Sequence, residues 1–463
     1  MKTAIIAALQ QALAPEQVLL DEAVAERSHH IWRMDTPLTA IAVVLPRTTE
    51  DVSAILRICH EHDQPIVVHG GMTNMVGSTE TQSDELVISM EKMNQMEELD
   101  EKSRTITVQA GVILENIQIA AKEQGLLFPL NFGAKGSAQI GGAISTNAGG
   151  MRVLKYGMTR NLILGLEVVQ ADGTIINSLK KIIKDNSGFD LKQLFIGSEG
   201  TLGIVTRAVL KLAEVPASRN SAYVAFNEYD KVVAFLKHLD AGLAGTLSCF
   251  ELLWQNAYRG LTSPPAQVKP PLPYDYQYYV LLETLGSEQE ADRKRLEQLL
   301  EEALEQELIL DATLAHNASD LDWFFKIRED VHTLVSLCRN DQHFDISLPI
   351  PSIGKVINNI LEKLHTLPLL EKAFAFGHMA DGNIHFIIGK TEESAALIKA
   401  INDIVYTPLQ ALDGSISAEH GIGLHKKKYL HLCRTPAEIQ LMQLLKKSLD
   451  PKGILNRSKV IDL

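Results

Sequence analysis

Short apolar runs alternate with helix-like stretches over residues 40–215. Runs rich in β-branched residues predict strands, and they read PIVVHGG, ELVISM, TITVQAG, LILGLEVVQADG and GIVTRAVLKL. Apolar residues recur at helical spacing in TEDVSAILRICHEH and GVILENIQIAAKEQG, which predict helices. The pattern indicates an α+β or mixed α/β domain, and the stretch MKTAIIAALQQALAPEQV before it predicts an amphipathic helix that ends near Pro15.

The pattern changes after about residue 215. The Pro-rich stretch 263–276 predicts a loop, and the charged stretch 287–307 predicts a helix with a solvated face. Strand-like runs, YQYYVLLETLG, FDISLPI and KAFAFGH, alternate with helical runs such as PSIGKVINNILEKLHT. This half predicts a second α+β domain, and its last helical stretch, TPAEIQLMQLLKKSL, stops at Asp450-Pro451.

The composition narrows the classes of partner. The chain has 463 residues, enough for two or three domains, and its formal net charge of −13 argues against nucleic acid or an anionic membrane as partner. No run of 18 apolar residues occurs, so no transmembrane segment is predicted. The four cysteines are too scattered for a disulfide framework or a thiolate zinc site, which favours a reducing, cytoplasmic setting.

Two histidines flank a turn in FAFGHMADGNIHFIIG. The apolar runs on each side predict two antiparallel strands, and Ala380-Asp381-Gly382-Asn383 is typical of the turn between them. Residues that flank such a turn are expected to lie opposite each other, so His378 and His385 could share one divalent metal. Two ordinary strand-end histidines are the alternative, and a metal site needs a third ligand.

Glycines cluster three times in the first half, within residues 67–78, 133–157 and 194–206. The first cluster follows a strand, where successive backbone N–H groups can form an anion-binding concavity. It is neither a Walker loop nor a Rossmann Gly-x-Gly-x-x-Gly, and a Gly-rich turn is the alternative. Three such loops around one sheet indicate one extended ligand, and a dinucleotide with a pyrophosphate fits.

The three segments resemble the flavin-binding (PCMH-type) domain of the vanillyl-alcohol oxidase and p-cresol methylhydroxylase superfamily. HGGMTNMVG resembles its pyrophosphate loop, IGGAISTNAGG and GSEGTLGIVT its second and third flavin segments, and LLKKSLDPKGILNRSKVI its closing segment. The branch concerned is that of the FAD-dependent D-2-hydroxyacid dehydrogenases. The resemblance implies an FAD-binding domain (1–215), an α+β substrate (cap) domain (216–412) and a C-terminal segment (413–463) that completes the active site and packs on the FAD domain.

The resemblance also implies which residues hold FAD. Asn456 matches the closing Asn of the family and would lie near the isoalloxazine ring. His69 precedes the glycines, and the usual tethering position is not His, so the expected FAD is noncovalent. The other FAD-binding residues that it implies are Gly70, Gly71, Thr73, Asn74, Met75, Gly77, Ser137, Gly141, Gly142, Asn147, Gly200 and Ile204.

The same branch supplies a third metal ligand and a reaction. Glu419, in GSISAEHGIGLHK, would join His378 and His385 around Zn²⁺ or, second to it, Mn²⁺, Fe²⁺ or Co²⁺. His420 would accept the hydroxyl proton of a D-2-hydroxyacid as its α-hydrogen leaves as hydride to flavin N5. Arg328 would bind the substrate carboxylate, although it could instead pair with a neighbouring acid on a helix surface.

Two departures from the branch bear on the substrate. Members that act on 2-hydroxyglutarate usually carry Lys at the position of His343, which joins Arg328 and His420 among the implied substrate-binding residues, and Asn at that of Ile387. Both changes weaken recognition of a second carboxylate. The expected substrate is therefore lactate-like or a longer apolar D-2-hydroxyacid first, and 2-hydroxyglutarate second.

Several alternatives stay open at this point. The chain could oxidise another alcohol on the same fold, serve as a noncatalytic FAD subunit of a glycolate-oxidising complex, or be a metallohydrolase that uses the two histidines. The electron acceptor is open among a quinone, an electron-transfer flavoprotein and O₂. A homodimer is one of the assemblies left open.

Overall fold

The predicted strands and helices form close to where the hydrophobic pattern places them. The computed structural model describes residues 2–32 and 36–463. Its strands in chain order are β1 Val18–Leu19, β2 Ala42–Val44, β3 Ile66–His69, β4 Leu86–Ser89, β5 Met96–Asp100, β6 Thr105–Gln109, β7 Leu126–Leu127, β8 Ile163–Val169, β9 Ile175–Ser178, β10 Ile204–Lys211, β11 Ala213–Glu214, β12 Ser218–Phe226, β13 Leu247–Trp254, β14 Tyr278–Gly286, β15 Asp311–Leu314, β16 Gln342–Ser347, β17 Leu370–His378 and β18 Asn383–Lys390.

Helices connect most of these strands. The α-helices in chain order are α1 Lys2–Ala12, α2 Glu22–Ala25, α3 Thr49–Glu61, α4 Leu114–Glu123, α5 Ile140–Ser145, α6 Val153–Tyr156, α7 Thr159–Leu162, α8 Lys192–Phe195, α9 Tyr229–Leu243, α10 Gln255–Thr262, α11 Gln289–Glu305, α12 Ala318–Glu329, α13 Val331–Ser336, α14 Ile353–His365, α15 Ala395–Gln410 and α16 Pro436–Leu449. Short 3₁₀ turns lie at Pro15–Gln17, Met90–Lys92, Ile350–Ser352, Met379–Asp381 and Lys427–Leu432.

The chain divides into two compact units. The first unit comprises Met1–Gly149, Gly157–Val215 and Glu419–Leu463, and the second comprises Gly150–Tyr156 and Pro216–Ala418. Val215 and Pro216 are where the hydrophobic pattern was seen to change. Within the described chain, no helix has the length and apolar character needed to cross a membrane.

The first unit is built on two principal sheets. One has the order β1-β2-β4-β3, with β2, β4 and β3 parallel, and the other is antiparallel with the order β5-β6-β10-β8-β9. The first turn of α3 is fixed by the Thr48 hydroxyl, which accepts a hydrogen bond from the N–H of Asp51. The buried face of α3 includes Val52, Ile55 and Leu56, as its apolar spacing predicts.

The second unit is built on one antiparallel sheet of seven strands, in the order β15-β12-β14-β13-β17-β18-β16. Because side chains alternate across a strand, every second residue of β12, β13, β14 and β17 lies on the face that packs against α10 and α12. Tyr223, Tyr279 and Phe374 from the sheet form a core cluster there with Tyr258 and Phe324 from the helices. The predicted α+β fold with two domains is confirmed.

A buried charge network fixes residues Gly150–Tyr156 to this sheet. Glu283 on β14 is fully buried, and its carboxylate accepts two hydrogen bonds from Arg152 at 3.0 Å, one from Arg219 at 2.7 Å and one from Ser248 at 2.7 Å. Burial alone would raise the pKa of Glu283, but the two guanidinium groups lower it. The carboxylate therefore stays charged and holds the short segment through Arg152.

Candidate active site

The segments expected to hold FAD come together within the first unit. The loop after β3 packs on the second segment at Gly71, where a Cβ would overlap the backbone carbonyl of Ser137. The backbone N–H of Glu199 donates to the carbonyl of Ser145 at 2.8 Å, which joins the third segment to the second. Glycine at position 71 is thus required by close backbone approach, as the sequence pattern indicates.

Glu199 links three parts of the first unit through its side chain. Its buried carboxylate accepts hydrogen bonds from the hydroxyl of Ser78 at 2.9 Å and from the N–H groups of Ile422 at 2.6 Å and Gly423 at 2.9 Å. Burial raises the pKa of Glu199, and these three hydrogen bonds oppose the rise because they favour the anion. The first loop, the third segment and the chain after Glu419 are thereby held together.

Asn456 ties the closing segment to the same cluster. Its side-chain oxygen accepts from the N–H of Val68 at 3.0 Å, and its amide donates to the carbonyl of Glu199 at 2.5 Å. Each segment has at least one residue other than glycine with positive φ: Met72 at 54°, Asn147 at 50°, Glu199 at 51° and Asn456 at 42°. Such conformations are uncommon outside glycine and concentrate at ligand sites.

The geometry of these segments fits a group that donates a hydrogen bond and lies against backbone. The side-chain oxygen Oε1 of Gln139 is buried and has no hydrogen-bond partner. No atom lies within 4 Å of a Cβ built on Gly142 three residues later, so its backbone borders open space. The other implied FAD residues lie in the same segments: Gly70, Thr73, Asn74, Met75, Gly77, Gly141, Gly200 and Ile204.

His69 is held by the protein itself. Its ring nitrogen Nε2 lies 2.9 Å from the carbonyl oxygen of Thr79, and the side chain is buried. Burial lowers the pKa of His69 to about 3, so the ring is neutral at physiological pH and donates to that carbonyl. Asn74 is also used locally, since its side-chain oxygen accepts from the N–H of Ser78 at 2.9 Å.

The predicted histidine hairpin forms in the second unit, with a different register. β17 ends at His378 and β18 carries His385, but the cross-strand partner of His385 is Phe376. The expectation that the two histidines lie directly opposite each other is therefore wrong. They lie diagonally on one face of the sheet, and their ring centroids are still 5.2 Å apart with the planes at 87°.

A buried glutamate joins the first histidine to the predicted substrate arginine. Glu251 on β13 is the cross-strand partner of His378 and is fully buried. One carboxylate oxygen accepts from Nδ1 of His378 at 2.6 Å and the other from Nε of Arg328 at 2.6 Å. Burial alone would raise the pKa of Glu251, but His378 and Arg328 outweigh it and lower the pKa to about 2.

Arg328 is an interior residue and not a surface one. It lies in the last turn of α12 with only 5% of its surface exposed, and its guanidinium carbon is 5.0 Å from the centre of the Phe376 ring. The alternative of a surface arginine paired with Glu329 or Asp330 is therefore wrong. Its planar group is fixed by the carboxylate and the aromatic ring together.

Asp345 occupies the corresponding place beside the second histidine. It is the cross-strand partner of His385, is fully buried, and has Oδ1 3.7 Å from Nδ1 of that ring. The amide of Asn383 donates to Asp345 at 2.7 Å, and the N–H of Ala418 donates to it at 3.0 Å. Asn383 Oδ1 is buried without a hydrogen-bond partner, so an acceptor two residues before His385 is unsatisfied.

The two substrate-related departures are neighbours. His343 on β16 is the cross-strand partner of Ile387 on β18, and both lie on the sheet face that carries His385. Ile387 belongs to the buried core cluster of the second unit. Nε2 of His343 lies 2.6 Å from an oxygen of Asp341, so the imidazole already has a carboxylate as its hydrogen-bond partner.

Glu419 and His420 belong to the first unit. A Cβ on Gly149, at the end of the second glycine-rich segment, would overlap the carboxylate of Glu419. In the chain, Glu419 directly follows Ala418, whose N–H is bound to Asp345. Within the second unit, the imidazoles of His378 and His385 and the unsatisfied oxygen of Asn383 are ligand types that divalent ions take, and so is the carboxylate of Glu419 in the first unit.

Comparisons with known proteins support the same family. Residues 40–178 match the FAD binding domain family, and residues 215–460 match the C-terminal domain of FAD linked oxidases. The chain is 36% identical over 451 residues to the mitochondrial D-2-hydroxyglutarate dehydrogenase of Danio rerio, covering 97% of this chain and 84% of that protein. The Bos taurus enzyme of the same name is 37% identical over 462 residues, 98% of this chain and 83% of that protein.

The chain belongs to the FAD-linked oxidase family. The resemblance drawn from the glycine-rich segments is thus confirmed, and with it an FAD-dependent oxidoreductase. A Schizosaccharomyces pombe relative provisionally named as a mitochondrial D-lactate dehydrogenase is 38% identical over 419 residues, 89% of this chain and 80% of that protein. Because these names carry the word mitochondrial, the cytoplasmic setting stays a prediction.

The fold of this FAD-linked oxidase also occurs in solved structures of low sequence identity. p-Cresol methylhydroxylase has a TM-score of 0.77 at 16% identity and covers 99% of this chain and 97% of that one. 4-Ethylphenol oxidase from Gulosibacter chungangensis has a TM-score of 0.74 at 19% identity and covers 99% of this chain and 96% of that one. At this identity the likeness shows the PCMH-type fold alone.

Sequence reasoning missed the two buried acids that lie beside His378 and His385. Glu251 and Asp345 are single charges within otherwise apolar strands, CFELLW and FDISLPI. A charge in a buried strand signals a partner, because a carboxylate rarely stays buried unless it is paired. The partners could not be read, since Glu251 lies 127 residues from His378 in the chain and 77 residues from Arg328.

The two glycines at the flavin segments are expected to respond differently to a methyl group. Gly142→Ala should lower FAD affinity by about tenfold, equal to about 1.4 kcal/mol, because its backbone borders open space that the cofactor would fill. Its apoprotein should melt at the same temperature or higher, since alanine favours a helix by about 0.5–1 kcal/mol. Gly71→Ala should lower both the FAD affinity and the melting temperature, because its Cβ would overlap the backbone of Ser137. FAD titration into deflavinated protein and thermal melting would measure them.

Gly71→Ala is the reference within this pair, because its Cβ would overlap backbone and a loss of FAD affinity there should come with a loss of thermal stability. A Gly142→Ala protein that binds FAD as tightly as the wild type would contradict the placement of the cofactor at this segment.

Proposed function

We propose that the protein oxidises a D-2-hydroxyacid to the 2-oxoacid with FAD and a divalent metal. The observation that carries this proposal is the joint placement of His378, His385 and Arg328 around buried acids on one face of the second unit's sheet. The flavin segments of the first unit would bind the redox cofactor. FAD, when bound, accepts the α-hydrogen of the substrate as hydride at N5.

The metal would be held by His378, His385 and Glu419. The proximity of the two imidazoles and the position of Glu419 immediately after Ala418 support this assignment. Zn²⁺ is the first choice, with Mn²⁺, Fe²⁺ and Co²⁺ as alternatives on these ligands. A metal in this site would acidify the substrate hydroxyl, as metal ions do for bound water.

His420 would take the hydroxyl proton. It follows the proposed ligand Glu419 directly, and an imidazole ordinarily titrates near neutral pH, which suits a general base. Arg328 would bind the α-carboxylate. With Nε held by Glu251, its terminal nitrogens are the fork that can take two carboxylate oxygens.

The substrate class rests on His343 and Ile387 together. A substrate side chain near this cross-strand pair meets His343, which already has Asp341 as a partner, and Ile387 beside it is buried in the apolar core and offers no polar group. Such a surface favours a short or apolar side chain over a second carboxylate. The names of the relatives favour D-2-hydroxyglutarate, which we place second, and D-lactate, which agrees with the first choice.

Anaerobic mixing with 2-hydroxyacids tests the proposal directly. D-lactate or a longer apolar D-acid should bleach the visible flavin band, and the L-enantiomers should not. Chelation should abolish the bleaching, and Zn²⁺ or Mn²⁺ should restore it. The His420→Asn variant should slow flavin reduction by about 10²–10⁴-fold, the usual contribution of a positioned general base. A flavin that every D-2-hydroxyacid leaves oxidised would contradict the proposed function.

Exchanging the substrate-facing pair should shift specificity. The double variant His343→Lys with Ile387→Asn adds a cation and an amide, so the ratio of kcat/KM for D-2-hydroxyglutarate to that for D-lactate should rise by about 10–100-fold. The His365→Lys variant is a control for the added lysine, because His365 is exposed in the last turn of α14. An unchanged ratio in the double variant would show that this pair does not contact the substrate side chain.

A further inference from the structure

Glu251 divides its two carboxylate oxygens between residues with different proposed roles. Oε1 takes the hydrogen bond from Nδ1 of His378, and Oε2 takes the one from Nε of Arg328, both at 2.6 Å. The side chain is fully buried, so water competes with neither bond. One acid therefore fixes a proposed metal ligand and a proposed carboxylate-binding residue.

The hydrogen bond to His378 determines which ring nitrogen can bind a metal. A carboxylate accepts only, so Nδ1 of His378 carries a hydrogen, and in the neutral ring the lone pair is on Nε2. Hydrogen bonds of this kind fix the orientation of a ligating imidazole and raise its basicity. The strand pairing of Glu251 with His378 sets this geometry before any metal binds.

The bond to Arg328 determines where its fork points. The guanidinium group is rigid and planar, so a fixed Nε and the Phe376 ring 5.0 Å from its central carbon define the plane. Phe376 is the cross-strand partner of His385 and lies two residues before His378. Glu251, Arg328, Phe376 and the two histidines thus form one continuous set of contacts.

We propose that Glu251 is a positioning residue that orients His378 and Arg328 together, so that metal affinity and substrate-carboxylate binding depend on one buried side chain. This inference rests on the proposed function, because it assumes that His378 ligates the metal and that Arg328 binds the hydroxyacid. It goes further than the proposed function, because it predicts that one substitution at Glu251, which binds neither the metal nor the substrate, weakens the binding of both.

Glu251→Gln tests the inference, because the amide keeps the size but removes the charge and one acceptor. Zn²⁺ affinity, measured by competition with a chromophoric chelator, should fall by about 10–100-fold, the usual effect of removing such a partner. The KM for the D-2-hydroxyacid should rise by about tenfold as Arg328 loses its fixed plane. FAD content should match that of the wild type, since Glu251 is in the second unit.

Glu283→Gln is the matched control. Glu283 is also fully buried, lies on the neighbouring strand β14 and bonds to two arginines, but it contacts neither His378 nor Arg328. Its variant should lose thermal stability as the Glu251 variant does. Zn²⁺ affinity and KM should stay within a factor of about two of wild type, because sites that share no partner are coupled only weakly. A general loss of packing would instead move both variants alike.

Glu251→Asp serves if the glutamine variant does not fold. Its shorter carboxylate cannot reach both partners, so either Zn²⁺ affinity or KM should worsen about tenfold. Unchanged Zn²⁺ affinity and KM in a folded Glu251 variant would overturn the inference. Failure of the proposed function is separately visible, because His378→Ala would then keep the Zn²⁺ affinity of the wild type, or no D-2-hydroxyacid would reduce the wild-type flavin.

Discussion

A charged group that is buried away from water must find its partners within the protein, and this constraint organises both units of the oxidase. Glu251 and Glu283 are fully buried carboxylates of the second unit, and each bonds to at least one arginine. Glu199 is buried in the first unit and is satisfied mainly by backbone N–H groups. Losing one partner of such a group costs about 3–5 kcal/mol, so the segments that supply the partners are held in place.

Glu199 and Glu251 hold segments that have functional residues. Glu199 and Asn456 join the glycine-rich loops, whose backbones have positive φ at residues that usually avoid it. Glu251 joins a proposed metal ligand to a proposed substrate arginine. The hydrogen bonds thus stabilise uncommon backbone conformations in one unit and fixed side-chain orientations in the other, and both are forms of preorganisation for a bound cofactor or substrate.

The sequence was most informative where the physics is local. Hydrophobic periodicity predicted β3, β10, α3 and α14, because burial of one face determines which residues repeat. The glycine clusters pointed to close backbone approach, which Gly71 and Gly141 show. The sequence did not reveal Glu251 as the partner of His378, because strand order brings together residues far apart in the chain. The sequence did not reveal the register of the hairpin either, because a 3₁₀ turn at Met379–Asp381 moves the pairing of His385 to Phe376.

The diagonally placed imidazoles of His378 and His385 are proposed to bind one catalytic metal. Crystals grown with Zn²⁺ and measured at the zinc absorption edge would test it most directly. We expect an anomalous peak about 2.0–2.1 Å from Nε2 of His378 and from a ring nitrogen of His385, with a carboxylate oxygen of Glu419 at about 2.0–2.2 Å. An anomalous peak bound to other residues, or no peak in crystals whose flavin a D-2-hydroxyacid still bleaches, would contradict it.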